Sequence, residues 1–144
     1  MSGDVASNKK RSRMLYEQVF GLGNFEAADD LLASDVLNHG PGMPATTGTE
    51  GIKRQGAVLR TAFPDLEVIL NDQVGEGDKV VSFWTGRGTH AGPLNLLGNS
   101  LPPTGNPISF EEMRIDRHAD GRIVEAWFLP DRFTLWMQLG LLPG

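Results

Sequence analysis

The stretch that most constrains this chain is residues 114–140, RIDRHADGRIVEAWFLPDRFTLWMQLG. Asp120-Gly121 lies between two runs of strand character, and an Asp-Gly step is a strong hairpin signal because both residues tolerate positive φ. A two-residue turn there sets a register: Ala119 opposite Arg122, His118 opposite Ile123, Asp116 opposite Glu125, Arg114 opposite Trp127, Glu112 opposite Leu129 and Phe110 opposite Asp131. Strand alternation then gives one face to Glu112, Arg114, Asp116, Glu125, Trp127 and Asp131, and the other to Met113, Ile115, Val124, Ala126 and Phe128. Pro130 ends the second strand. A short helix is expected from Asp131, with Phe133, Leu135, Trp136 and Leu139 along it and Gly140 as its stop.

Two readings of this stretch are open. In the first, only the apolar face is buried, Asp131 is no more than a helix N-cap, and Arg114 over Trp127 is a surface cation–π pair worth ~0.5–1 kcal/mol. In the second, the face that carries Arg114, Trp127 and Asp131 lines a site.

Upstream, helical spacing of Met14, Leu15, Val19 and Leu22, with Tyr16 and Phe20 beside them, predicts a helix over 8–22, preceded by a frayed, polar 1–7. Asn24 is placed to cap a short helix over 25–32, and Thr49 to cap a third helix to Phe63, which Pro64 halts. Between them, residues 35–48 (DVLNHGPGMPATTG) read as a long loop carrying His39. Leu66–Val74 and Lys79–Thr89 read as paired strands turned at 75–78. Residues 90–107 read as a long crossover loop that begins with His90. Three helices followed by strands give an α+β class in a single domain, 1–144.

Charge and composition narrow the function. A formal charge of -5 and a pI near 5.1 argue against a nucleic-acid partner. The one basic cluster, Lys9, Lys10, Arg11 and Arg13, reads as the solvated face of the first helix. With no cysteine, thiolate nucleophiles and Cys-based metal sites are excluded. The start has no apolar core of a signal peptide and no run of ~18 apolar residues occurs, so no membrane partner is expected and a cytoplasmic protein is the default. The three histidines, His39, His90 and His118, share no H-x-x-H or H-E-x-x-H spacing, so no metal is expected. His118, near the turn, reads as a solvated turn residue. No G-x-S-x-G elbow or P-loop is present.

GRIVEAWFLPD followed by QLG resembles the C-terminal signature of the SnoaL-like polyketide cyclases, in the superfamily named for nuclear transport factor. AFPDLEV from Ala62, GEGDKVV from Gly75, GRGTHAGPL from Gly86 and PPTGNPISFEEM from Pro102 are similar to the same family. The resemblance runs from the first helix to Gly140. It implies a cone-shaped α+β barrel, with a curved, mostly antiparallel sheet wrapped around N-terminal helices and one deep pocket, usually as a homodimer or homotetramer. It also implies that Asp131 is the acid/base of an intramolecular aldol closure of an aromatic polyketide, with no cofactor. Where some of those cyclases carry a histidine, this chain has Arg114.

An aldol closure needs a base beside a carbonyl, donors for the enolate and a shaped apolar cavity. Asp131 supplies the first and His90 or His39 the second. Phe20, Phe63 and Trp127 contribute the walls, and Arg114 a hold on a substrate oxygen. Hydroxylation of an already cyclised polyketide and non-catalytic binding are the alternatives. The opposite strip, Met113, Ile115, Ala126 and Phe128, is expected to cover itself by oligomerisation.

Overall fold

The computed structural model describes residues 4–96 and 98–141; of the N-terminal segment read as frayed, residues 1–3 lie outside them. Helix α1 (Val5–Tyr16) starts earlier than its apolar spacing suggests because Asp4 caps it, its carboxylate accepting the Ser7 N–H at 2.7 Å. The buried stripe of α1 begins with two polar residues, Asn8 and Ser12, before Leu15 and Tyr16. One π-helical turn, Glu17–Gly21, carries the stripe on to Val19 and Phe20. Helix α2 (Ala27–Leu31) leads directly into strand β1 (Leu32–His39), and short β2 (Thr46–Thr47) pairs with it.

Strand β1 corrects the expectation of a loop over 35–48. Val36 is fully buried, and Asn38 is buried with its amide donating to the Gly48 carbonyl at 3.1 Å. A polar residue on the inner side broke the apolar alternation that marks a strand. Helix α3 (Glu50–Ala62) forms as read, although Thr49 does not cap it; the Thr49 hydroxyl donates to Asp29 instead, at 3.2 Å.

Strands β3 (Glu67–Glu76) and β4 (Lys79–Thr89) form the predicted pair, turned at Gly77, whose φ is +60°. The crossover loop contains a small hairpin of its own, β5 (Leu94–Leu96) with β6 (Asn99–Leu101). β7 (Pro107–Ala119), β8 (Arg122–Pro130) and α4 (Arg132–Gln138) complete the chain. The main sheet runs β2-β1-β8-β7-β4-β3, antiparallel except where β1 lies parallel to β8. It is curved but not closed: β2 and β3 are its edges, so the cone is an open one. No described helix is long and apolar enough to cross a membrane.

The terminal hairpin agrees with its predicted register for two pairs only. Asp120 and Gly121 both have positive φ, and His118↔Ile123 and Ala119↔Arg122 pair as expected. A bulge between Arg117 and His118 then slips β8 by one residue, leaving Val124 as the extra residue. Beyond it Arg114 faces Phe128, Ile115 faces Trp127 and Glu112 faces Pro130. The faces of β7 stand as predicted, while those of β8 are exchanged: Ala126 and Phe128 turn inward, and Trp127 and Leu129 outward.

The helices lie against the inner face over two apolar clusters. One gathers Leu15, Tyr16, Val19, Phe20, Val36 and Trp84, and the other Phe63, Leu66, Ile108, Phe110, Leu135 and Leu139. Between these clusters the inner face is polar.

Candidate active site

Strand alternation brings six buried side chains of β7 to the inner face: Ile108, Phe110, Glu112, Arg114, Asp116 and His118. The first two close the second cluster, and the other four form a buried polar row. Tyr16 on α1 donates its hydroxyl to Glu112 Oε2 at 3.2 Å, while its ring stacks on Trp84 at 4.4 Å and 18°. Arg114 lies between two carboxyls, its Nη2 donating to Asp116 Oδ1 at 3.3 Å and its Nη1 3.9 Å from Glu112 Oε1. The guanidinium carbon is 6.0 Å from the Phe128 ring centre. Burial pushes the Glu112 carboxyl up, against the attraction of Arg114. The same burial works against the Arg114 charge, but the charge of Asp116, joined by that of Glu112 when it is ionised, outweighs it and holds its pKa up. Glu112 Oε1 and the indole Nε1 of Trp84, whose backbones pair across β7 and β4, are both buried without a hydrogen-bond partner.

His90 follows β4 directly and is fully buried. Its Nδ1 accepts the Thr104 backbone N–H at 3.1 Å and lies 2.9 Å from the Thr104 hydroxyl. A ring nitrogen that accepts a backbone N–H carries no proton, so the proton sits on Nε2, which is buried and unpartnered. Burial lowers the pKa and favours the neutral ring, against a backbone contact with Gly92 that raises it. Phe63 packs against it, with 5.7 Å between ring centres. Phe20 packs on Tyr16 at 4.6 Å in the other cluster, so the two predicted wall residues belong to separate clusters.

Asp131 is exposed and caps α4. Its Oδ2 accepts the Thr134 hydroxyl at 2.6 Å and its Oδ1 the Thr134 N–H at 3.1 Å, and these bonds hold the carboxyl below its ordinary range. Its own N–H donates to the Glu111 carbonyl at 2.8 Å, opposite an exposed, outward-facing residue of β7, so the face it was expected to share with Arg114 is lost with the slipped register. At the other end of α4, Gly140 is left-handed and the Gly140 and Leu141 N–H groups return to Met137 and Trp136, the stop expected from the sequence.

His39 and Trp127 lie elsewhere. They pair between β1 and β8 on the outer face and stack at 5.1 Å and 13°. His39 Nε2 is 2.7 Å from Glu125 Oε2, and Arg117 donates to Glu125 Oε1 at 3.1 Å. Trp127 therefore does not face Arg114. The β8 bulge is the reason, and nothing in the local sequence announces it.

His118 is a further correction. It is fully buried rather than solvated, with Arg11 Nη1 3.0 Å from Nδ1 and the Ser12 hydroxyl 3.1 Å from Nε2. Arg11 thus faces inward from a helix read as solvated along its basic side. The sequence reading also gave no role in the site to Tyr16, Trp84 or Glu112. The signal that could have found the last was the unbroken alternation of Phe110, Glu112, Arg114, Asp116 and His118 with one parity. Among the described residues, no three His, Cys, Asp or Glu side chains gather as metal ligands would.

The sequence profile of SnoaL-like polyketide cyclases matches residues 10–139. IdmH from Streptomyces antibioticus, described as a candidate polyketide cyclase, is similar in structure at TM-score 0.77 and 33% identity, over 92% of this chain and 98% of that one. TsrD from Streptomyces laurentii is similar at TM-score 0.82 and 28% identity, over 97% and 99%. AclR from Streptomyces galilaeus, described as a candidate hydroxylase, shares the fold at TM-score 0.83 and 22% identity, over 97% and 100%. No curated protein matches the chain in sequence. The profile and the 33% identity to IdmH, each over nearly the whole chain, show that this chain belongs to the SnoaL-like polyketide cyclase family.

Proposed function

We propose that this protein is a polyketide-tailoring enzyme that closes a ring of an aromatic polyketide ester by aldol addition, through acid/base catalysis without a cofactor. The observation that carries the reading is His90: a neutral ring whose proton is fixed on a buried Nε2 with no partner is a preorganised donor for an enolate oxygen. Asp131 is the base. Thr134 keeps it ionised, and the same bonds lower its basicity, so the abstraction depends on a substrate whose proton beside the carbonyl is itself acidified. Arg114 holds a second substrate oxygen, and Phe20 and Phe63 bound the deep pocket of the resemblance. His39 and Trp127, on the outer face, take no part.

Asp131→Asn is expected to lower turnover of a polyketide methyl ester by about 100-fold or more. Unchanged turnover rejects the reading. Mass spectrometry of the product separates it from hydroxylation, since aldol closure leaves the mass unchanged, or lower by water after dehydration, whereas hydroxylation adds an oxygen. A homodimer or homotetramer belongs to the same proposal, with Met113, Ile115 and Leu129 as the exposed outer strip in place of one containing Ala126 and Phe128. Sedimentation at micromolar concentration measures it, and a monomer rejects it.

A further inference from the structure

Among the described residues four buried side-chain polar atoms have nothing to bond, on Asn8, Trp84, His90 and Glu112, and those of Trp84 and Glu112 belong to residues that face each other across one strand pair. Trp84 Nε1 is a donor only, and its ring cannot turn away because it is stacked on Tyr16. Glu112 Oε1 is the second, and its carboxyl is equally fixed, because Tyr16 already donates to Oε2. A carboxyl that accepts at one oxygen carries any proton on the other, so the acidic hydrogen of Glu112 belongs on Oε1. Orphaned buried polar atoms are rare in native proteins and need an explanation, of which an absent ligand is one.

Charge balance sets the state of Glu112. Arg114 is bonded to Asp116, and its other nitrogen is 3.9 Å from Glu112 Oε1, too far for a hydrogen bond. One buried guanidinium balances one buried carboxylate; a second carboxylate in the same row would lack a bonded counter-charge. The groups acting on Glu112 are Arg114 and Asp116 from β7, Tyr16 from α1 and Arg132 from α4; burial, assisted by the charge of Asp116, outweighs the combined pull of Arg114, Tyr16 and Arg132.

We propose that Glu112 is the general acid of this site, delivering the proton on Oε1 to the acceptor carbonyl oxygen while the Trp84 N–H holds the same oxygen. The inference rests on the aldol reading and divides its proton transfers between two carboxyls. Asp131 takes the proton from the carbon beside one carbonyl, and the electron pair of that C–H bond becomes the new C–C bond. The π pair of the acceptor carbonyl moves onto its oxygen, which takes the Glu112 proton and becomes the alcohol. Glu112 is then a carboxylate beside Arg114, which is placed to stabilise it. Asp131 holds the abstracted proton, and exchange with solvent on product release restores both groups. Two carboxyls driven in opposite directions by their surroundings are the pattern by which acid and base are told apart. The ligand oxygen this pair selects is a neutral ketone or ester carbonyl, since a carboxylate there would oppose Glu112 once it ionises.

The test uses the full chain and a polyketide methyl ester. Glu112→Gln keeps the shape and the acceptor for Tyr16 but has no proton to give, so kcat should fall by about 100-fold or more with KM changed by less than about threefold. The alkaline limb of the pH–rate profile should go with it, whereas Asp131→Asn should remove the acid limb. Trp84→Phe keeps the stack on Tyr16 and loses only the N–H; kcat should fall about tenfold. Infrared difference spectra of wild type against Glu112→Gln, with no substrate added, should show a protonated carboxyl at neutral pH. An ionised Glu112 in those spectra, or Glu112→Gln turning over like wild type while Asp131→Asn is dead, overturns the inference and leaves the aldol reading standing. Full activity in both variants overturns the two together.

Discussion

The two sides of the terminal hairpin carry nearly the same chemistry and treat it in opposite ways. On the inner side Glu112 meets Arg114, and on the outer side Glu125 meets Arg117. Glu112 is buried and its carboxyl is pushed up, whereas Glu125, bonded first to His39 and then to Arg117, is pulled down. The difference lies less in the partner than in access to water. Desolvation is the leading influence on Glu112 and the hydrogen bond from His39 is the leading influence on Glu125. A sheet one residue thick therefore separates a carboxyl pushed toward its protonated form from one held toward its ionised form. The inner side is suited to proton transfer, and the outer side to a solvated ion pair.

The largest effect that sharpens this contrast is expected at Arg114. Arg114→Met keeps much of the side-chain volume but leaves Asp116 buried without its bonded cation, and removing one partner of a buried pair typically costs about 3–5 kcal/mol. Urea unfolding of the variant measures it. Adding Asp116→Leu to the same chain should recover most of the loss, because replacing both members of a buried pair by apolar groups is often close to neutral. A loss below about 1 kcal/mol would mean that the inner row is as well solvated as the outer one.

How much of this was legible in the sequence follows from the same two strands. β7 reads cleanly because its alternation is unbroken, so the shared parity of Glu112, Arg114 and Asp116 was legible in the sequence, although which of the two faces is buried was left open. β8 does not, because a bulge costs the ladder only one pairing while it reverses every residue beyond it. Phe128 and Trp127, adjacent in sequence and both aromatic, give composition no means to choose between the registers. Asp131 was legible as a helix start, and the sequence allowed it to be a cap or a base; the structure shows the cap, and the base is the proposal. His118 was misread for another reason: its partners, Arg11 and Ser12, lie more than a hundred residues away on α1. β1 escaped because its inner positions include Asn38, whose hydrogen bond to Gly48 exists only once the fold is formed.

His118 gives the intermediate effect. Burial, assisted by Arg11 and opposed by Asp116 and Asp78, lowers its pKa from 6.5 to about 4. The unfolded chain therefore takes up a proton over a range in which the folded chain does not, and stability falls as pH drops from 6.5 to about 4. Above that window both states are neutral here and the group contributes no slope. The loss should reach about 2–3 kcal/mol at the acid end. Denaturant midpoints at steps across the window measure it, with His118→Gln expected to remove this part of the slope.

The smallest effect is expected at Glu125, and it tests the contrast from the outer side. Glu125→Gln keeps an acceptor for His39 or Arg117 but removes the charge that both partners face, at 2.7 and 3.1 Å. Arg117 is more than a third exposed and His39 nearly so, and solvent screens such pairs, so the loss should stay within about 1 kcal/mol and shrink further in high salt. Turnover of the polyketide ester should be unchanged, since Glu125 stands on the far side of the sheet from Glu112 and Arg114. A loss above about 2 kcal/mol that is insensitive to salt would show that the outer cluster is covered in solution, as a second copy seated on Met113, Ile115 and Leu129 would cover it. A loss of turnover with stability intact would instead carry the site through to the outer face, and the separation of proton chemistry from ion pairing would fail at the strand where it is drawn.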